Sequence, residues 1–157
     1  MSDWSEAPRI PSEKLASHVG DVFVSHWFDV DQSRIDAFAK VTEDHQFIHV
    51  DPALAAATPF GGTIAHGFLS LSLLSPMAYS VLPKIKGDVT GVNYGFDRVR
   101  FLNPVRAGSR VRARFTLKAV TEKSPGQWQL TYDVSVEIEG AAKPALAATW
   151  LTMQMVG

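Results

Sequence analysis

The densest run of titratable side chains lies between Glu43 and Asp51, where Glu43, Asp44, His45, His49 and Asp51 fall close together and His66 follows. Three of the five histidines lie in this window. A neutral imidazole and a carboxylate held near one water can divide an acid–base reaction between them, one taking a proton from water and the other delivering one to carbon. Asp44 and His49 are the candidates for that pair. Gly67 follows His66 at the start of a long apolar segment. The first N–H groups of a helix have no internal partner and carry the positive end of its dipole, so they can meet an oxygen that gains negative charge. A glycine there lets a ligand approach the backbone closely.

The same residues have plainer uses. An Asp five residues before a His often makes a surface pair, and His66 can simply brace its loop. His45 and His49 would form a metal pair if their segment were helical, but no strong third ligand accompanies them, and no metal or other cofactor is expected. Ser70, Ser72 and Ser75 read as back-bonded packing residues rather than nucleophiles. The chain has no cysteine, which excludes disulfides, thiolate catalysis and Cys-based zinc sites.

The elements that must hold these residues follow from periodicity. From Asp31, Ile35, Phe38 and Ala39 recur at helical spacing, and Asp31 or Ser33 can cap the start. Asp51-Pro52 is a second helix start, with Pro at the first helical position. Glu43 to Val50 is therefore expected as a tight connection between two helices, where Asp44 and His49 can turn into one cleft. Phe60-Gly61-Gly62 marks a turn, and Phe68 to Leu82 reads as one helix, apolar nearly all round and covered on nearly all sides, with Pro76 able to kink it.

The second half alternates instead. Val111, Ala113, Phe115, Leu117 and Ala119 interleave with Arg110, Arg112, Arg114, Thr116 and Lys118, and residues 127–138 repeat the pattern. Period two means strands with one wet face, and Ser124-Pro125-Gly126 predicts the hairpin between them. The set Arg100, Arg110, Arg112 and Arg114 reads as a solvated face, with coenzyme A phosphates as an alternative partner. Leu146 to Met155, apolar on both faces, reads as a central or interface strand. Val92 to Phe101 and Asp21 to Phe28 are further strands. A greasy helix and a sheet with one apolar face bury each other if the sheet wraps the helix, so the expected class is α+β with a curved antiparallel sheet.

Of the 157 residues, 46% are hydrophobic and 20% charged, the balance of one globular domain, with residues 1–19 as an N-terminal arm. A net charge of −1 from 15 basic and 16 acidic residues makes nucleic acid an unexpected partner. The start has no signal-peptide pattern, and the most apolar stretch falls short of the ~20 residues a membrane span needs. A cytoplasmic protein without a membrane partner is the expectation.

Phe38 to Asp51, with its Asp44-His45-Gln46-Phe47-Ile48-His49-Val50-Asp51 core, resembles the signature of the MaoC-like (R)-specific enoyl-CoA hydratases. So do Pro59 to Leu69, with His66-Gly67, and Asn93 to Phe101 running on through Pro104-Val105 and Gly108. The form of the first stretch is most similar to the nodulation-protein-N branch of that family. Glu43 stands where the family has glycine, Gln46 where it has asparagine and Phe47 where it has proline. The resemblance implies a hot-dog fold, with the sheet wrapped around one long buried helix, and a homodimer paired edge to edge. It places the catalytic aspartate at Asp44, the catalytic histidine at His49 and the thioester-binding N–H at Gly67. His66 and Gln46 join Gly67 as expected substrate-binding residues. The implied activity is reversible addition of water to a trans-2-enoyl-CoA, giving an (R)-3-hydroxyacyl-CoA. A hot-dog thioesterase and a non-catalytic acyl-thioester-binding domain are the alternatives.

Overall fold

A computed structural model describes residues 7–157. Five strands build the sheet's main path: β2 (Val22–Val24), β6 (Ser109–Ser124), β7 (Gln127–Ile138), β8 (Leu146–Val156) and β5 (Val89–Phe101), side by side in that order and antiparallel. A sixth, β3 (Phe28–Val30), also pairs with β6. The alternation sets the two faces. Val111, Ala113, Phe115 and Leu117 point inward and are fully buried, as are Leu130 and Val136 across the ladder. The intervening arginines point outward, where Arg110 pairs with Glu139 while Arg112 and Arg114 share Glu137 at 2.6 and 3.2 Å. The Arg112 guanidinium also lies 4.5 Å over the Trp27 ring. These three arginines thus form a paired, solvated face rather than a free phosphate cluster. Arg100 is exposed on β5. The hairpin falls at Pro125-Gly126, where Gly126 takes the positive φ of 76° that the turn requires.

The strand expected over Asp21–Phe28 is two short strands. Ser25 interrupts them: its backbone N–H and its hydroxyl both bond the Ala113 backbone, so the ladder bends without leaving buried polar groups unpaired. Leu146 to Val156 is a central strand between β7 and β5, which accounts for its two apolar faces.

The concave face wraps the apolar helix, giving the hot-dog arrangement. That helix is not continuous: α4 (Gly67–Ser72) and α5 (Leu74–Tyr79) meet at Leu73. Pro76 has no N–H to offer the Ser72 carbonyl and its ring crowds that carbonyl, so the break falls one turn before the proline. Leu69, Leu74 and Met77 pack into the core with Phe115, Leu117 and Leu146. Phe68 and Tyr79 are exposed, so the helix is covered on fewer sides than its composition suggests. The first described residues dock on the domain: β1 (Arg9–Ile10) pairs in parallel with β4 (Lys84–Ile85), and Leu15 of a 3-10 helix over Ser12–His18 is fully buried. No helix among the described residues is long and apolar enough to cross a membrane.

Candidate active site

Three helices in succession carry the site. In α1 (Gln32–Thr42), the Asp31 carboxylate accepts from the Arg34 N–H at 2.8 Å, the expected N-cap. The helix stops at Glu43, which adopts φ 63° and ψ 14°, a left-handed conformation that suits glycine better than glutamate. That turn throws the chain sideways into the loop carrying Asp44. The connection is shorter than expected, because Phe47–Val50 forms its own helical turn, α2, before Asp51 caps α3 (Pro52–Ala56). Asp44 therefore sits on a loop and His49 on a helical turn. Five positions apart on one straight helix they would diverge; across this bend they converge.

Two histidines tie these helices and their connecting loop to the segment that enters α4. The His49 Nδ1 lies 2.7 Å from the Ile64 carbonyl, and the His66 Nε2 lies 2.9 Å from the Asp44 carbonyl. A carbonyl oxygen can only accept, so each of these nitrogens must carry hydrogen. In the neutral rings, His49 Nε2 is left as a base and His66 Nδ1 as an acceptor. The His66 Nδ1 is buried without a hydrogen-bond partner. The two rings stack with centroids 3.8 Å apart, and Phe38 covers His66 at 5.0 Å. Burial lowers the pKa of His49 below the ordinary histidine value, more than the Ile64 hydrogen bond raises it; His66 lowers it further and Asp44 opposes. His49 is thus held neutral, the form a base requires.

One nitrogen of each histidine and one carboxylate oxygen of Asp44 all lie within 4.8 Å of one another. A single water can bridge such a span, since two hydrogen bonds of about 2.8 Å reach further. The same trio is a poor metal cage. The ring centroids lie 3.8 Å apart with the planes inclined by only 24°, so lone pairs lying in those planes run nearly parallel instead of converging on one ion. His45 is exposed on the loop and stands outside this cluster.

Beside the cluster lies a cavity of about 260 Å³, walled by His49, Gly67, Ser70, Phe101, Asn103 and Ala145 among others. The structure thus brings Asp44, His49 and His66 together and sets Gly67 on the cavity that His49 lines. Gln46 is not brought in: it is exposed at the N-cap of α2, and its side chain makes no capping bond. Two further residues shape the site. Gln32 donates to the His49 carbonyl at 2.7 Å and accepts from the buried Thr63 hydroxyl at 2.5 Å, bracing α2 against the loop before α4. Phe101, at the end of β5, lays its ring against Gly67 so closely that an added Cβ would stand 3.0 Å from it. Neither contact has a periodic signature, although Phe101 lies inside the third block of the family resemblance.

Comparison with known proteins points the same way. A family model described as a MaoC like domain matches residues 14–138. The chain is 56% identical over 130 residues to a nodulation protein N from Rhizobium leguminosarum bv. viciae, spanning 82% of this chain and 81% of that one. It is 47% identical over 135 residues to a 3-hydroxyacyl-thioester dehydratase Z from Mycobacterium tuberculosis, spanning 85% and 89%. Among solved structures, an (R)-hydratase from A. caviae superposes with a TM-score of 0.72 at 28% identity, covering 88% of this chain and 96% of that one.

Proposed function

The chain belongs to the MaoC-like domain family, and from that premise we propose that it is a hydro-lyase acting on enoyl thioesters. Water adds across the double bond of a trans-2-enoyl-CoA to give an (R)-3-hydroxyacyl-CoA, and the reverse dehydration follows the same path. The names of the relatives describe both directions, dehydratase and (R)-hydratase.

In this reading the His49 Nε2 and the Asp44 carboxylate hold one water between them. The water oxygen bonds to the β carbon while one of its protons passes to the pair, and the α carbon receives a proton from the pair in return. The electron pair of the double bond shifts toward the thioester oxygen as the water adds. The Gly67 N–H meets that oxygen at the N-terminus of α4. His66 fixes the Asp44 loop through its carbonyl, and its ring backs His49. The observation that carries the proposal is the Asp44–His49–His66 cluster within 4.8 Å, set beside the cavity at Gly67.

The free edge of β5 offers a place for a second copy. One edge of β5 pairs with β8, and the other has no partner strand among the described residues, with Val92, Tyr94 and Phe101 exposed along it. Such an edge invites pairing with another strand, and a homodimer joined along β5 would satisfy it.

Crotonyl-CoA tests the reaction. Loss of the enoyl absorbance with the thioester intact is the expected result. Release of free thiol would replace the hydro-lyase with a thioesterase, and no change in either signal would leave a binding domain.

A further inference from the structure

A larger cavity, about 560 Å³, opens between α5 and the far ends of β5 and β8. It shares no lining residue with the cavity at His49. The two nevertheless lie along one seam. Gly67 and Ser70 wall the first and Ser75 and Ala78 the second, so the helical segment passes from one to the other over about 12 Å. The β5–β8 ladder forms the opposite side, from Phe101 opposite Leu146 at one end to Val89 opposite Val156 at the other.

At the inner wall of this cavity stands Tyr132, only 1% exposed. It lies in the sheet opposite Leu117 on one side and Trp150 on the other, with the Phe115 ring edge-on at 6.3 Å. Its hydroxyl opens on the cavity and has no hydrogen-bond partner among the described residues. Its neighbours Trp150 and Gln154 are already paired. The Trp150 Nε1 donates to Asn93 Oδ1 at 2.7 Å, while Gln154 accepts from the Ile85 N–H and donates to the Pro83 carbonyl. Tyr132 is thus the most deeply buried polar side chain of this wall, and a hydroxyl so placed is costly unless something bonds it. Burial raises its pKa far above the ordinary tyrosine value, so the phenol stays a neutral donor.

We propose that this cavity receives the distal part of the acyl chain, and that the Tyr132 hydroxyl donates a hydrogen bond to an oxygen carried there. The preferred substrates are then oxygenated acyl thioesters, bearing a keto or comparable acceptor group away from the thioester, rather than plain hydrocarbon chains. This rests on the thioester reading above. It explains why a sheet position that would pack well with phenylalanine carries a hydroxyl instead.

The test uses calorimetric binding of decanoyl-CoA and of decanoyl-CoA analogues with one keto oxygen moved carbon by carbon toward the chain end. A hydro-lyase binds these saturated probes without reacting, and a parallel free-thiol assay exposes any thioester cleavage. At least one keto analogue should bind about five- to tenfold more tightly than the parent, the worth of one neutral hydrogen bond. Tyr132→Phe should abolish that gain without weakening parent binding or lowering the melting temperature. The proposal is overturned if no keto analogue binds more tightly, if the gain survives in Tyr132→Phe, or if that variant melts lower because the hydroxyl had a structural partner. Hydration of the matching trans-2-enoyl thioesters separates the two claims. Hydration without keto preference removes this site and leaves the reaction; keto preference in binding without hydration leaves the site and removes the reaction.

Discussion

Replacing Gly67 by alanine probes the oxyanion role through a contact that can be worked out atom by atom. An added Cβ would stand 3.0 Å from two ring carbons of Phe101 and 3.1 Å from a third. Comfortable carbon contacts begin near 3.5 Å, so about half an ångström must be found. Phe101 is 51% exposed and ends its strand, so its ring can move outward. The backbone at Gly67 shows no positive φ, so alanine brings no conformational strain of its own. The stability cost should therefore stay near 1 kcal/mol, the low end for overpacking. Activity should suffer more. If the thioester oxygen comes to the Gly67 N–H, the methyl group and the displaced ring both obstruct it, and loss of one oxyanion donor is worth about 3 kcal/mol, on the order of a hundredfold in kcat. The assay is kcat/KM for an enoyl-CoA with thermal melting on the same preparation, for Gly67→Ala, Phe101→Ala and the double variant. The pair form a cycle. Restored packing in the double variant should recover the melting temperature but not the rate. A Gly67→Ala variant within about threefold of wild type would refute the reasoning, as would a double variant that regains full rate. Gly67 would then only make room for Phe101.

Asp44→Asn and His49→Ala should each lower turnover at least ~100-fold with the fold intact, the usual contribution of an acid–base group; near-normal hydration by either, measured at saturating substrate, would contradict the assigned roles. His49 should also leave a mark on pH profiles. Its pKa is lowered in the folded chain, so the unfolded chain binds the extra proton first, and stability should fall as pH drops through the ordinary value of 6.5 toward the folded one. The acid limb of kcat/KM should likewise lie below 6.5, and His49→Gln should flatten the stability slope in denaturant titrations; an unchanged slope would remove His49 as its source. Glu43→Gly relieves a left-handed glutamate worth about 1–2 kcal/mol but returns part of that as unfolded-chain freedom, so a net gain of about 0.5 kcal/mol should raise the melting temperature slightly, and a fall would show that the Glu43 side chain has a role of its own. A charge at Tyr94 on the β5 edge, Tyr94→Lys, should lower the mass seen by light scattering from dimer toward monomer, whereas a monomeric wild type would dismiss the edge pairing.

Much of this architecture is legible in the sequence because burial imposes a period. The alternation over residues 111–119 and 128–138 fixes both faces of β6 and β7, and Gly126 marks their turn. Shorter features escape. Phe47–Val50 is one helical turn, too brief for any period, and Ser25 breaks a strand through a single hydroxyl bond to Ala113. The division at Leu73 was foreshadowed by Pro76, but its place one turn earlier follows from the carbonyl that proline crowds. In the site, the residue types of Asp44, His49, His66 and Gly67 draw attention from the sequence alone. The crossed ties do not, because His49 reaches Ile64 and His66 reaches Asp44 over 15 and 22 residues of chain. Glu43 is a telling case: as a letter it is a substitution of a family glycine, and only the backbone shows the left-handed turn that a glycine would fill at less cost. Tyr132 looks like any inward strand residue until the cavity behind it is seen.

The central claim is that Asp44 and His49 add water to carbon rather than cleave the thioester. Mass spectrometry of the product formed from crotonyl-CoA in heavy-oxygen water decides it most directly. The account predicts an intact 3-hydroxybutyryl-CoA with the heavy oxygen on the β carbon, formed by the wild type and lost in Asp44→Asn. Heavy oxygen in a released carboxylate, with free coenzyme A beside it, would contradict the account.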